Sequence, residues 1–172
     1  MTIRAVIFDW GHTIIHETAD SQVELARRPI HRMPGLEAVL PQIGLPMGIW
    51  ANTRRTGREI REWLERANIS KYFEWVITSE DIGVRKPHPE YFARALVACG
   101  LERHNVLFVG NQLNTDILGA DRYGIANVWL SGPAHRSRDD GPIPSDVKPT
   151  FVIEGLDELP SLVRAVLQGA LP

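Results

Sequence analysis

The chain has one cysteine in 172 residues, Cys99, and therefore no internal disulfide. It sits in Ala95-Leu96-Val97-Ala98-Cys99, an apolar setting that suits a small core residue in a reducing compartment. Neither sign of charge is in excess: 19 Lys and Arg oppose 21 Asp and Glu, leaving a net charge of −2. That balance gives no electrostatic case for nucleic acid or an anionic membrane. No apolar run is long enough to span a bilayer. The apolar run near the N-terminus is short and meets Asp9 at once, so no signal peptide is read there. Repeats and low-complexity tracts are also lacking. The expectation is one cytoplasmic domain over residues 1–172, with a full core and a composition compatible with an oligomer.

What is present alternates. Ile3-Arg4-Ala5-Val6-Ile7-Phe8 is β-branched and almost wholly apolar, the pattern of a strand buried on both faces. Further strands are expected at Met47–Ala51, Trp75–Thr78, Val106–Gly110, Ala126–Leu130 and Phe151–Ile153. Helices are expected between them: a weak one over Gln22–Arg27 capped by Ser21, then Pro34–Leu40 and Arg54–Ala67. The rest are Glu90–Cys99 behind Pro89, Thr115–Tyr123 closed by Gly124, and Leu156–Leu167. Residues 131–149 carry four prolines and two glycines, and are expected to form a long irregular loop over 132–149. Short apolar strands alternating with helices imply a Rossmann-like three-layer α/β/α sandwich around a mostly parallel sheet of five to six strands.

In such a fold every strand ends on one rim, where open α/β sheets bind their ligands. Asp9 follows the first strand. It either caps a turn there or carries chemistry. Asn52 and Thr53 follow the second strand, and Asn111 and Asp116 the fourth. Lys86 lies in an extended loop after the third and can reach inward. Two carboxylates, a lysine, a hydroxyl and amides, one group from each crossover, make a constellation suited to phosphate and metal.

These residues carry a resemblance to the haloacid dehalogenase-like hydrolases, most of which are phosphatases. The first motif of that family, D-x-D-G-T at a strand end, is similar to Asp9-Trp10-Gly11-His12-Thr13. The second, a Ser or Thr followed by Asn, is matched by Ala51-Asn52. The lysine motif resembles Gly83-Val84-Arg85-Lys86-Pro87-His88-Pro89. The fourth resembles Val109-Gly110-Asn111, followed by Asp116-Ile117-Leu118-Gly119-Ala120. The resemblance implies that Asp9 is the nucleophile that becomes an aspartyl-phosphate, and that Lys86 neutralises charge on Asp9 and the phosphoryl group. It implies Mg²⁺ held by Asp9, the Gly11 carbonyl, Asn111 and Asp116, and phosphate bound by Asn52, Thr53 and Lys86.

Three family positions are altered. Gly11 replaces the acid that protonates the leaving group, Ala51 replaces the phosphate-binding hydroxyl, and Asn111 replaces the first acid of the metal motif. Weak Mg²⁺ binding and restricted activity are expected, and His12 is a candidate replacement acid if its ring turns inward. About twenty residues separate Thr13 from Pro34, too few for a cap domain, so the phosphorylated substrate can be large. The other reading is a catalytically inactive relative that keeps the fold for binding or regulation. A response-regulator-like phosphoacceptor fits less well, because its aspartate ends the third strand. Arg54, Arg55, Arg58 and Arg61 either attract an anion or form a solvated face through the pairs Arg55–Glu59, Arg58–Glu62 and Arg61–Glu65.

Overall fold

The structure, a computed structural model, describes residues 2–16, 31–136 and 145–171. Six strands form one sheet in the order β3-β2-β1-β4-β5-β6, with every pairing parallel. They are β1 (Ala5–Phe8), β2 (Met47–Ala51), β3 (Phe73–Thr78), β4 (Val106–Gly110), β5 (Ala126–Leu130) and β6 (Phe151–Ile153). The helices are α1 (Leu36–Val39), α2 (Gly57–Arg66), α3 (Ser79–Ile82), α4 (Pro89–Cys99), α5 (Leu118–Tyr123) and α6 (Leu159–Leu167).

The period of two along each strand splits the core between the sheet's faces. Val6 and Phe8 of β1 join Ile49, Leu107 and Val128 in a cluster closed by Leu36 of α1, Trp63 and Leu64 of α2, and Leu159 and Val163 of α6. Ala5 and Ile7 face the other way, with Trp50, Phe108, and Tyr91, Phe92 and Ala95 of α4. Three layers follow, as expected. No cap domain is present among the described residues, and no described helix is long and apolar enough to cross a membrane.

Several boundaries differ from the sequence reading. The helix expected from Arg54 begins at Gly57, because Thr56 and Glu59 form a capping box that fixes the first turn. The helix expected from Thr115 opens with a wide π turn over Leu113–Ile117, a register that apolar periodicity does not reveal. Helix α3 had not been expected; Thr78 caps it by accepting from the Asp81 amide. The helix expected over Gln22–Arg27 and residues 137–144 of the expected loop lie outside the described residues. Of the three expected pairs on α2, Arg58–Glu62 is an ion pair at 3.1 Å. Glu59 instead holds the cap, and Arg61 donates to the carbonyls of Phe73 and Glu74. Those carbonyls begin β3, at the opposite end of the sheet from Asp9, so Arg61 is no part of an anion site on the rim.

Candidate active site

The strand order reverses between β1 and β4, whose carboxyl ends carry Asp9 and Asn111 on either side of the switch. Parallel α/β sheets open a crevice at such a point. Asp9, Lys86 and Asp116 meet in it, exposed by only 7%, 3% and 1%. Lys86 Nζ lies 2.6 Å from Asp9 Oδ1 and 2.8 Å from Asp116 Oδ1, and donates to the Trp50 carbonyl at 2.8 Å. All three donors of the ammonium are thereby used. Asp116 reaches this spot because Gly110 has no side chain; a Cβ there would fall 2.6 Å from that of Asp116. The other carboxylate oxygen of Asp116 accepts from the Gln112 amide at 3.1 Å, which fixes its direction.

Two carboxylates face one ammonium, so with both ionised the cluster would carry one uncompensated negative charge. Burial, then the nearby Asp116, push the Asp9 carboxyl up to about 7 against the pull of Lys86. Burial alone would depress the Lys86 ammonium, but Asp116 and Asp9 outweigh it and raise Lys86 above the ordinary lysine value.

The remaining groups are arranged around this cluster. Thr13 Oγ1 lies 3.5 Å from Asp9 Oδ2 and 3.4 Å from Asn111 Oδ1, linking the first and fourth crossovers. Asn52 does not aim its amide at open space: its Oδ1 accepts from Lys86 N at 2.8 Å, and its Nδ2 donates to Lys86 O at 2.9 Å. The Thr53 hydroxyl accepts from the Arg55 amide, while its backbone is held at both ends by Ser79 Oγ. His12 adopts a left-handed φ of 54°, and its ring lies edge-on to that of His16 at 5.4 Å. Gly11 sits one residue before it and bridges to Ile15.

Residues 6–130 match the haloacid dehalogenase-like hydrolase family. The chain belongs to that family. It is 34% identical over 134 residues to the pyrimidine 5'-nucleotidase YjjG of Escherichia coli (strain K12), covering 76% of this chain and 56% of that protein. It is 35% identical over 106 residues to the glyceraldehyde 3-phosphate phosphatase of Pyrococcus abyssi (strain GE5 / Orsay), covering 59% and 43%. The chain thus spans about half the length of the curated relatives it matches. Among solved structures, an uncharacterized protein from Listeria monocytogenes serotype 4b superposes with a TM-score of 0.80 at 25% identity, over 97% of this chain and 99% of that one.

Haloacid dehalogenase-like motifs thus meet in space as they do in order, and the oxygen groups can be tested against Mg²⁺. Asp9, Asp116, Asn111 and the Gly11 carbonyl are hard oxygen donors, the chemistry Mg²⁺ prefers. The uncompensated charge beside Lys86 also favours a cation. The set fits by donor chemistry, with two carboxylates, an amide oxygen and a backbone carbonyl; among the described residues no three His, Cys, Asp or Glu gather as a metal cluster.

Sequence reasoning missed several supporting residues. Asp81 Oδ2 accepts from the Gly57 amide and the Thr78 hydroxyl, tying the end of β3 to the start of α2. Thr78-Ser79-Glu80-Asp81 carries the spacing of a capping box, so a signal existed. The Tyr91 hydroxyl lies 3.3 Å from the Ala51 carbonyl and 3.2 Å from that of Ile77. Trp129 within β5 and His135 beyond it both reach Asn111, and left no pattern by which to find them.

Proposed function

We propose that the protein is a phosphatase that hydrolyses phosphate esters or anhydrides through Asp9, with activity restricted by its altered motifs. The observation that carries this reading is the buried Asp9–Lys86–Asp116 cluster at the switch of a parallel sheet. Asp9 attacks phosphorus, the bond to the leaving oxygen breaks, and water then hydrolyses the aspartyl-phosphate. Lys86 balances charge on Asp9 and on the incoming phosphoryl group. Mg²⁺ held by Asp9, Asn111, Asp116 and the Gly11 carbonyl would supply further neutralisation of the phosphoryl oxygens. Asn52 contributes by holding Lys86, and Thr53 by its backbone. His12 remains the candidate proton donor for the leaving group. The names of the nucleotidase and phosphatase relatives agree with a phosphorylated substrate, and a rim with no cap domain among the described residues admits a large one.

A second reading, a binding or regulatory protein on the same fold, is favoured by Gly11 and Ala51, which lack the acid and hydroxyl of the family. Hydrolysis of p-nitrophenyl phosphate with and without Mg²⁺, wild type against Asp9→Asn, decides between them. Mg²⁺-dependent turnover abolished by Asp9→Asn supports the phosphatase. No turnover in the wild type supports the second reading, and turnover that survives in Asp9→Asn removes Asp9 as the nucleophile.

A further inference from the structure

His135 lies in the Pro- and Gly-rich stretch after β5, yet it is buried. Its Nδ1 is 2.7 Å from the His12 carbonyl, which can only accept, so Nδ1 carries the proton. Its own carbonyl accepts from Asn111 Nδ2, also at 2.7 Å. The Asn111 carbonyl in turn accepts from Trp129 Nε1 at 3.0 Å. Through Thr13 the ring of contacts closes back on Asp9. One residue thus grips the turn that carries the nucleophile and the loop that carries the metal motif.

The Asn111 contact accounts for a departure from the family. A carboxylate at that position would place an acceptor against the His135 carbonyl, and two acceptors repel at that distance. An amide donates instead. The His12 contact falls on the one residue of the turn with a left-handed φ. A non-glycine residue in that region costs free energy and persists only when its surroundings hold it.

We infer that His135 is a positioning residue for the Asp9 turn, latched to it through the His12 carbonyl, and that the amide of Asn111 is the second half of that latch. The inference rests on the phosphatase reading for its kinetic consequence, not for its geometry. The latch holds the Gly11–Thr13 backbone in register with Asp9. Restoring the family's acid at position 111 therefore breaks a contact as it adds a charge.

The test has a structural arm and a kinetic arm. Amide hydrogen exchange is followed at His12, Ile14 and Ile15, whose N–H groups bond within the turn, with Lys86 as a control on the other side of the site. In His135→Leu, exchange of the turn amides should rise by roughly tenfold, the loss of about one hydrogen bond, with Lys86 unchanged. His135→Asn, whose amide can donate in place of Nδ1, should restore most of the protection. Asn111→Asp should loosen the turn as His135→Leu does. With p-nitrophenyl phosphate, kcat should fall in His135→Leu and Asn111→Asp with little change in KM, and recover in His135→Asn. Unchanged turn protection in both His135→Leu and Asn111→Asp overturns the latch, as does an Asn111→Asp variant that is more active with its turn still protected. If His135→Leu fails to fold, His135→Asn and Asn111→Asp carry the test. A wild type that hydrolyses nothing removes the phosphatase reading, while the exchange arm still decides the latch.

Discussion

On the β2–β3 side of Asp9 a lysine keeps its charge, and the neighbouring polar groups hold its backbone. On the β4–β5 side an amide, Asn111, stands where the family resemblance implies a carboxylate, and the neighbouring polar groups hold a turn. Lys86 is clamped at N–H and C=O by a single side chain, Asn52. Asn111 is held by Trp129 at its carbonyl and His135 at its amide nitrogen. The first side preserves electrostatics, since a buried pair of carboxylates without Lys86 would be costly. The second gives up a charge and gains a contact that only a donor can make.

The largest effect is expected from removing the charge on the first side. Lys86→Met leaves two buried carboxylates facing each other, and breaking a buried pair typically costs about 3–5 kcal/mol. Urea denaturation at neutral pH should show a loss of that order, and phosphatase turnover should vanish. A loss under about 1 kcal/mol would mean that the carboxylates already hold a proton between them.

Asn52→Leu comes next, because it strips two partners from the Lys86 backbone at once. Leaving buried polar groups unpaired costs about 1–3 kcal/mol each, discounted here because the site is partly open to water. If Asn52 acts as a clamp, kcat falls and KM for p-nitrophenyl phosphate changes little. If it binds phosphate directly, KM rises instead. Steady-state kinetics thus separates the two roles.

A third change works against the losses. Gly11→Asp restores the acid that the family resemblance implies two residues after Asp9. The left-handed residue of this turn is His12, so the new side chain need not force that conformation itself. Turnover of unactivated alkyl phosphates should rise by at least roughly tenfold, the low side of general acid–base catalysis. Ala51→Ser should add to it. A folded, Mg²⁺-loaded double variant with no turnover would leave the binding reading standing.

The two sides also differ in how far the sequence reveals them. Strands β2, β4, β5 and β6 were read to the residue, because apolar β-branched runs between turn residues have few other solutions. The triad of Asp9, Lys86 and Asp116 followed from strand ends and motif order. Asn52 was visible as a polar residue at a strand end, but not its task, since a side chain bonded to backbone 34 positions away leaves no spacing to read. His135 was invisible for the same reason. It lies in a stretch whose prolines and glycines say only that regular structure stops, while its bonds to His12 and Asn111 join it to residues distant in sequence.

The smallest expected effect lies at the entrance to α2, where the β2 crossover leaves the rim. Glu59 Oε2 accepts from the Thr56 amide at 2.8 Å and the Thr56 hydroxyl at 2.9 Å, while Thr56 Oγ1 accepts from the Glu59 amide. The backbone bond from Thr56, then its hydroxyl, hold the Glu59 carboxyl below its ordinary value of 4.5. A carboxyl depressed in the folded state binds protons more readily in the unfolded chain. Its stabilising contribution is therefore complete above the unfolded value and is lost as pH falls through the folded one. Caps of this kind are worth about 1 kcal/mol, and this one is only half-buried, so no more than that is expected. Glu59→Gln should lower the thermal midpoint slightly at pH 7, and the gap from wild type should close as pH drops below the ordinary glutamate range. A gap that stays constant down to pH 3 would show that the amide caps as well as the carboxylate, and that the charge at Glu59 contributes nothing.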